Sequence, residues 1–166
     1  MVYSSLRMLG STQFSEETIK KIEEVQKKYP TKRSAVLPSL FLAQAEHGHV
    51  TKEAMAQIAK LLSLPPVQVY ESATFYTMYN KKPVGRHHIQ VCTNLSCSLL
   101  GAEHIFEYIS KKIGVSKGQT TSDDKFTLSA VECLGSCGTA PMMQIGDEYF
   151  EDLTEDKIDK ILDGMD

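Results

Sequence analysis

The chain has 166 residues, 42% of them hydrophobic, enough for one compact domain or two small ones that fold without disulfide staples. Its 18 Lys and Arg against 21 Asp and Glu leave a formal charge of −3 with no dense basic run, which argues against nucleic acid as a partner. The longest apolar candidate, Ala35 to Ala45, is broken by Pro38, Ser39 and Gln44 and falls short of the roughly 20 residues of a membrane span, so no direct membrane insertion is expected.

Met1 to Ser15 lacks a charged region followed by an apolar block and a small-residue cleavage site, so no secretory signal is expected. Without export, the four cysteines read as thiols or metal ligands and not as a disulfide framework. Phe14, Ile19, Ile22 and Val25 recur at helical spacing, with Ser15 as a candidate N-cap and Pro30 as the stop. Thr31 or Ser34 is a candidate cap for a second helix carrying Val36, Leu37, Leu40, Phe41 and Ala45 and ending at Gly48. Pro38 marks either a kink or the first turn of that helix. A third helix runs from Thr51 with Met55, Ile58, Ala59 and Leu62 on one face, and Pro65-Pro66 opens a short fourth with Val69 and Tyr70. The aromatics Phe75, Tyr76 and Tyr79 that follow read as core packing of a small helical bundle.

Near Pro83 to Arg86 the pattern changes, which divides the chain into a helical domain, 1–82, and a second domain, 83–166. His88 to Cys92 alternates as a strand. Ser98 to Ile113 reads as one amphipathic helix with Leu99, Ala102, Ile105, Phe106 and Ile109 inward, ended by Gly114. Phe126 to Val131 is a second strand, Met142 to Ile145 and Glu148 to Glu151 form a hairpin about Gly146-Asp147, and Thr154 caps a last helix with Ile158, Ile161 and Leu162. A right-handed crossover followed by an antiparallel hairpin gives a small α/β layer of thioredoxin-like type behind an all-α bundle, an α+β chain as a whole.

All four cysteines fall in the second domain, as Cys92-Thr-Asn-Leu-Ser-Cys97 and Cys133-Leu-Gly-Ser-Cys137. Cys92 and Cys133 each lie at the C-terminal end of a strand of one crossover unit, so the two pairs can converge at one sheet edge. A 2Fe-2S cluster needs four thiolates around a flat rhomb, and Gly135 and Gly138 can take positive φ to turn amides toward sulfur. Structural zinc is the first alternative, since four cysteines with these spacings also lie within its range. The C-x-x-C of thiol oxidoreductases is absent, and a Rieske centre would replace two cysteines by histidines. His87, His88 and His104 read as surface or helix residues, His47 and His49 as a polar helix end, and the acidic residues Glu148 to Asp152 and Glu155-Asp156 as a solvated face. No catalytic triad, phosphate loop or dinucleotide fingerprint is found, so no catalytic residues are assigned.

Both cysteine motifs, the second extended as Glu132-Cys133-Leu-Gly-Ser-Cys137-Gly-Thr-Ala-Pro141-Met, resemble the small 2Fe-2S subunit family of the NADH-oxidising module of respiratory complex I. Lys32-Arg-Ser-Ala-Val-Leu-Pro38, Ala73-Thr-Phe-Tyr-Thr-Met78 and Pro83-Val-Gly-Arg-His87 extend the likeness upstream. The resemblance implies a thioredoxin-like ferredoxin domain with Cys92, Cys97, Cys133 and Cys137 as ligands to one 2Fe-2S cluster. It implies a larger partner subunit bearing FMN, the NADH site and a further iron-sulfur cluster. It also implies a cytoplasmic place, peripheral to the inner membrane, or the matrix side if mitochondrial. Related subunits serve NAD-coupled hydrogenases and formate dehydrogenases.

Overall fold

The computed structural model describes residues 13–166, so most of the segment read for a secretory signal lies outside the described residues. The chain divides into two compact units between Pro83 and Val84.

Among the described residues the first unit has four helices, α1 (Glu16–Lys27), α2 (Val36–His47), α3 (Lys52–Leu62) and α4 (Pro66–Phe75), with a 3-10 turn at Arg33–Ala35. Ser15 caps α1 by accepting from Thr18 N at 3.2 Å, and Thr51 caps α3 by accepting from Ala54 N at 3.0 Å. α2 starts instead from Ala35 without a side-chain cap, because the Thr31 hydroxyl accepts from Ser34 N inside the preceding turn. Pro38 sits in the first turn of α2, where a missing N–H costs nothing, so it makes no kink. Ile22, Leu40, Ile58, Leu62 and Val69 fill the core, each excluding water completely and contributing about 1.5–3 kcal/mol. Tyr79 joins them and donates its hydroxyl to Leu37 O at 2.8 Å. Gln44 fixes the approach to Tyr79 by donating to Met78 O and accepting from Asn80 N. The core-packing reading fails for Phe75 and Tyr76, which are exposed, Phe75 at 78%. Phe41 and Ala45 also face outward, while Ala43 takes the buried place on α2.

The second unit is a sheet in the order β2-β1-β3-β4, built from β1 (His87–Cys92), β2 (Phe126–Val131), β3 (Met143–Ile145) and β4 (Glu148–Phe150). β1 pairs parallel with β2 and antiparallel with β3, and β3 pairs antiparallel with β4. Three helices accompany it: α5 (Leu95–Leu99), α6 (Ala102–Ile113) and α7 (Glu155–Asp163). Ile105 and Ile109 of α6 with Ile158 and Leu162 of α7 pack on Ile89, Val91, Leu128 and Met143 of the sheet. Lys112 joins the two helices, 2.9 Å from Asp159 and 2.8 Å from Asp163, and Tyr108 donates to Asp159 at 2.8 Å. The single helix expected over Ser98 to Ile113 is in fact two, because Gly101 takes φ +93° and breaks the axis. Leu99 lies before that break and is 76% exposed, not inward. Among the described residues no helix is long and apolar enough to cross a membrane.

Gly85 donates to the Thr127 hydroxyl at 2.6 Å, and a Cβ built on it would stand 2.9 Å from the backbone carbon of Phe126. Backbone cannot yield as a flexible side chain does, so Gly85→Ala is expected to lower stability by about 1–3 kcal/mol in urea unfolding. An unchanged midpoint would show that the entry to β1 shifts without cost.

Candidate metal centre

Two loops leave the same edge of the sheet. β1 ends at Cys92 and β2 at Val131, and these two residues are register partners in the parallel pair. Parallel strands deliver the chain to one side, so the Cys92–Cys97 loop and the Cys133–Cys137 loop emerge next to each other. Thr93 ties them, its N–H and its hydroxyl both donating to Val131 O at 2.9 and 3.0 Å.

Asn94 turns the first loop at once into α5, its Oδ1 accepting from Leu95 N at 2.8 Å. Cys97 is carried on that helix at 2% exposure, with Cys92 at 3%. Both lie on Ala102 and Met142, with Leu134 and Ala140 packed beside them. Burial pushes the Cys97 thiol up to about 11, helped by its hydrogen bond with Cys92 and by the neighbouring Cys92 and Cys137 charges, against a lowering by the Met142 backbone.

Cys133 and Cys137 are exposed. Gly135 adopts φ +83° between them. Gly138 does not follow the expected positive φ, because it lies within the 3-10 turn Cys137–Thr139. The second loop is held from outside by the residues around β4. Tyr149 donates its hydroxyl to Leu134 O at 2.7 Å, and Asp152 N donates to Thr139 O at 2.8 Å. The Glu151 carboxylate accepts from the Ser136 hydroxyl and, at 2.6 Å, from the Thr139 hydroxyl, which holds its carboxyl below the ordinary range. Glu151 and Tyr149 were hidden in an acidic stretch that reads as a solvated face. Hydrogen bonds across an irregular loop leave no periodic trace in sequence.

Four of the five histidines are engaged elsewhere. His88 Nε2 lies 2.9 Å from Ser129 Oγ, and burial holds its imidazole below the usual value. His87 Nε2 lies 2.9 Å from Asp166 O, His104 pairs with Glu155 at 2.8 Å, and His47 stacks on Phe14. None of the four cysteines is in a disulfide. Among the described residues no three His, Cys, Asp or Glu side chains converge as they would on a single metal ion. A 2Fe-2S unit instead asks for paired thiolates about a rhomb. A donor set of only thiols, one pair buried and one exposed on adjoining loops, fits that unit.

Comparison with known proteins agrees. Residues 22–166 match the thioredoxin-like 2Fe-2S ferredoxin family. The chain belongs to this family. Over 155 residues this thioredoxin-like ferredoxin is 50% identical to an NADH-quinone oxidoreductase subunit of Rickettsia conorii (strain ATCC VR-613 / Malish 7), covering 92% of this chain and 93% of the relative. It is 44% identical over 144 residues to an NADH-quinone oxidoreductase subunit of Rhizobium meliloti (strain 1021), covering 87% and 86%. Its fold resembles part of a crystallised NAD+-reducing NiFe-hydrogenase in the H2-reduced state, with a TM-score of 0.67 at 22% identity. That match covers 77% of this ferredoxin but only 21% of the hydrogenase chain.

The burial difference predicts an order of modification. In metal-free protein at neutral pH, an alkylating reagent is expected to label Cys133 and Cys137 before Cys92 and Cys97, as read by peptide mass mapping. Equal rates at all four would mean that the buried pair opens freely to solvent.

Proposed function

We propose that this chain carries electrons through one 2Fe-2S cluster held by Cys92, Cys97, Cys133 and Cys137. In this reading it is the small subunit of the NADH-oxidising module of NADH:quinone oxidoreductase and exchanges electrons with FMN on a larger partner subunit. The observation that supports the reading is that two cysteine-bearing loops leave the same end of one parallel strand pair. The identities of 44–50% to subunits named for quinone reduction favour that setting over a hydrogenase or formate dehydrogenase.

When bound, a 2Fe-2S cluster accepts and releases single electrons. The protein's own part is placement. Met142, Ala102, Leu134 and Ala140 keep water from Cys92 and Cys97, while Cys133 and Cys137 face outward, toward a partner. NADH and FMN belong on the partner, and this chain supplies no site for either. Its place is cytoplasmic and peripheral to the inner membrane, held there by its complex.

Among its described residues the helical unit offers no candidate chemistry of its own, and it serves as a docking element for the same flavin-bearing partner. Val67, Tyr70, Phe75 and Met78, on α4 and just beyond it, are all more than 40% exposed, apolar area that a partner can cover.

Anaerobically prepared protein is expected to contain about two irons and two acid-labile sulfides per chain. Any one of the four Cys→Ser changes should abolish or severely deplete that content. Stoichiometric zinc without labile sulfide would overturn the reading in favour of a structural zinc adaptor. The isolated chain should not oxidise NADH, yet its cluster should be reduced once the partner and NADH are added; turnover by the chain alone would refute the carrier role. Phe75→Ser with Tyr70→Ser should weaken co-purification with the partner about tenfold or more while leaving the iron content intact. Unchanged co-purification would remove the docking role from this surface.

A further inference from the structure

Cys137 sits on a turn whose two ends are joined by a side chain from outside the loop. Ser136 and Thr139 both donate to the same oxygen, Oε1 of Glu151. Each hydroxyl has one hydrogen and uses it on the carboxylate. Ser136 Oγ and Thr139 Oγ1 stand 2.9 Å apart, within hydrogen-bond distance of each other as well as of their shared acceptor. Closing that distance closes the turn over Cys137 and Gly138. The same β4-side segment grips the loop at Leu134 through Tyr149 and at Thr139 through Asp152 N. Lys157 donates to Glu151 O and so fixes the backbone from which the carboxylate projects.

We propose that Glu151 is a positioning residue for the ligand loop, whose carboxylate closes the turn bearing Cys137 and places a fixed negative charge beside the cluster site. The inference rests on the cysteine assignment proposed above. Its two effects are separable. The bracket slows loss of the cluster by holding Cys137 in place. The charge opposes electron uptake, which adds negative charge to the centre, and so keeps the reduction potential low.

The test uses full-length holoprotein as wild type, Glu151→Gln, Glu151→Ala, the pair Ser136→Ala with Thr139→Ala, and Cys137→Ser. The measurements are iron and sulfide content, the rate of bleaching by a chelator, the electron paramagnetic resonance spectrum of the reduced cluster, and the midpoint potential. An amide oxygen can still accept both hydroxyls, so Glu151→Gln should bleach at the wild-type rate but titrate at a higher potential. Glu151→Ala and the hydroxyl pair should both bleach several-fold faster with altered g values. Adding Glu151→Ala to the hydroxyl pair should not accelerate bleaching further, because all three groups form one bracket. If Glu151→Ala yields no holoprotein, the hydroxyl pair and Glu151→Gln decide through the same measurements. Wild-type bleaching and g values in Glu151→Ala or the hydroxyl pair, or an unshifted potential in Glu151→Gln, overturn the inference. Full cluster content in Cys137→Ser overturns the cysteine assignment itself, a different failure.

Discussion

The parallel pairing of β1 with β2 is the constraint on which the site depends. An antiparallel pair would send the chain out at opposite ends and put the two cysteine loops a strand length apart. The parallel register instead sets Cys92 opposite Val131 and brings both loops to one edge, where Thr93 bonds directly to Val131 O. The cost of a parallel pair is a long return connection, and α5 with α6 provides it. α6 then covers the sheet with Ile105 and Ile109, so the connection that makes the pairing possible also contributes to the core beneath it.

On that frame the two loops are held by different physics. The first is held from within, its cysteines sunk onto Met142 and Ala102 by exclusion from water. The second leans on that cluster through Leu134 and is held as well by directional hydrogen bonds from Tyr149, Glu151 and Asp152 N. Apolar burial tolerates small displacements, whereas a carboxylate shared by two hydroxyls fixes both distance and angle.

Much of the frame was legible in the sequence because it rests on periodicity and capping. Ser15 and Thr154 cap the helices they were read to cap, Thr51 caps the helix read to begin there, and the strand at Phe126–Val131 has the bounds read for it although its burial does not alternate. The helix expected over Ser98 to Ile113 misled because Leu99 continues the apolar stripe of α6 in sequence, although Gly101 turns the axis between them. Phe75 and Tyr76 misled because aromatic content says that a residue is worth burying without saying against what. That both cysteine loops leave one edge of the sheet followed from the strand reading alone. The bracket on the second loop did not, since Glu151 meets Ser136 and Thr139 through tertiary geometry that no local pattern encodes.

The break at Gly101 has an effect on how this protein can change. α5 carries Cys97, and α6 carries the residues that pack on the sheet. Were they one rigid rod, any residue gained or lost beside the cysteine would rotate Ile105 and Ile109 by about 100° about the axis and pull them off the core. The swivel at Gly101 isolates the core from such an event. Ligand spacing and core packing become separate variables, and the loop that holds the cysteine can be lengthened, shortened or re-aimed without the hydrophobic layer registering the change.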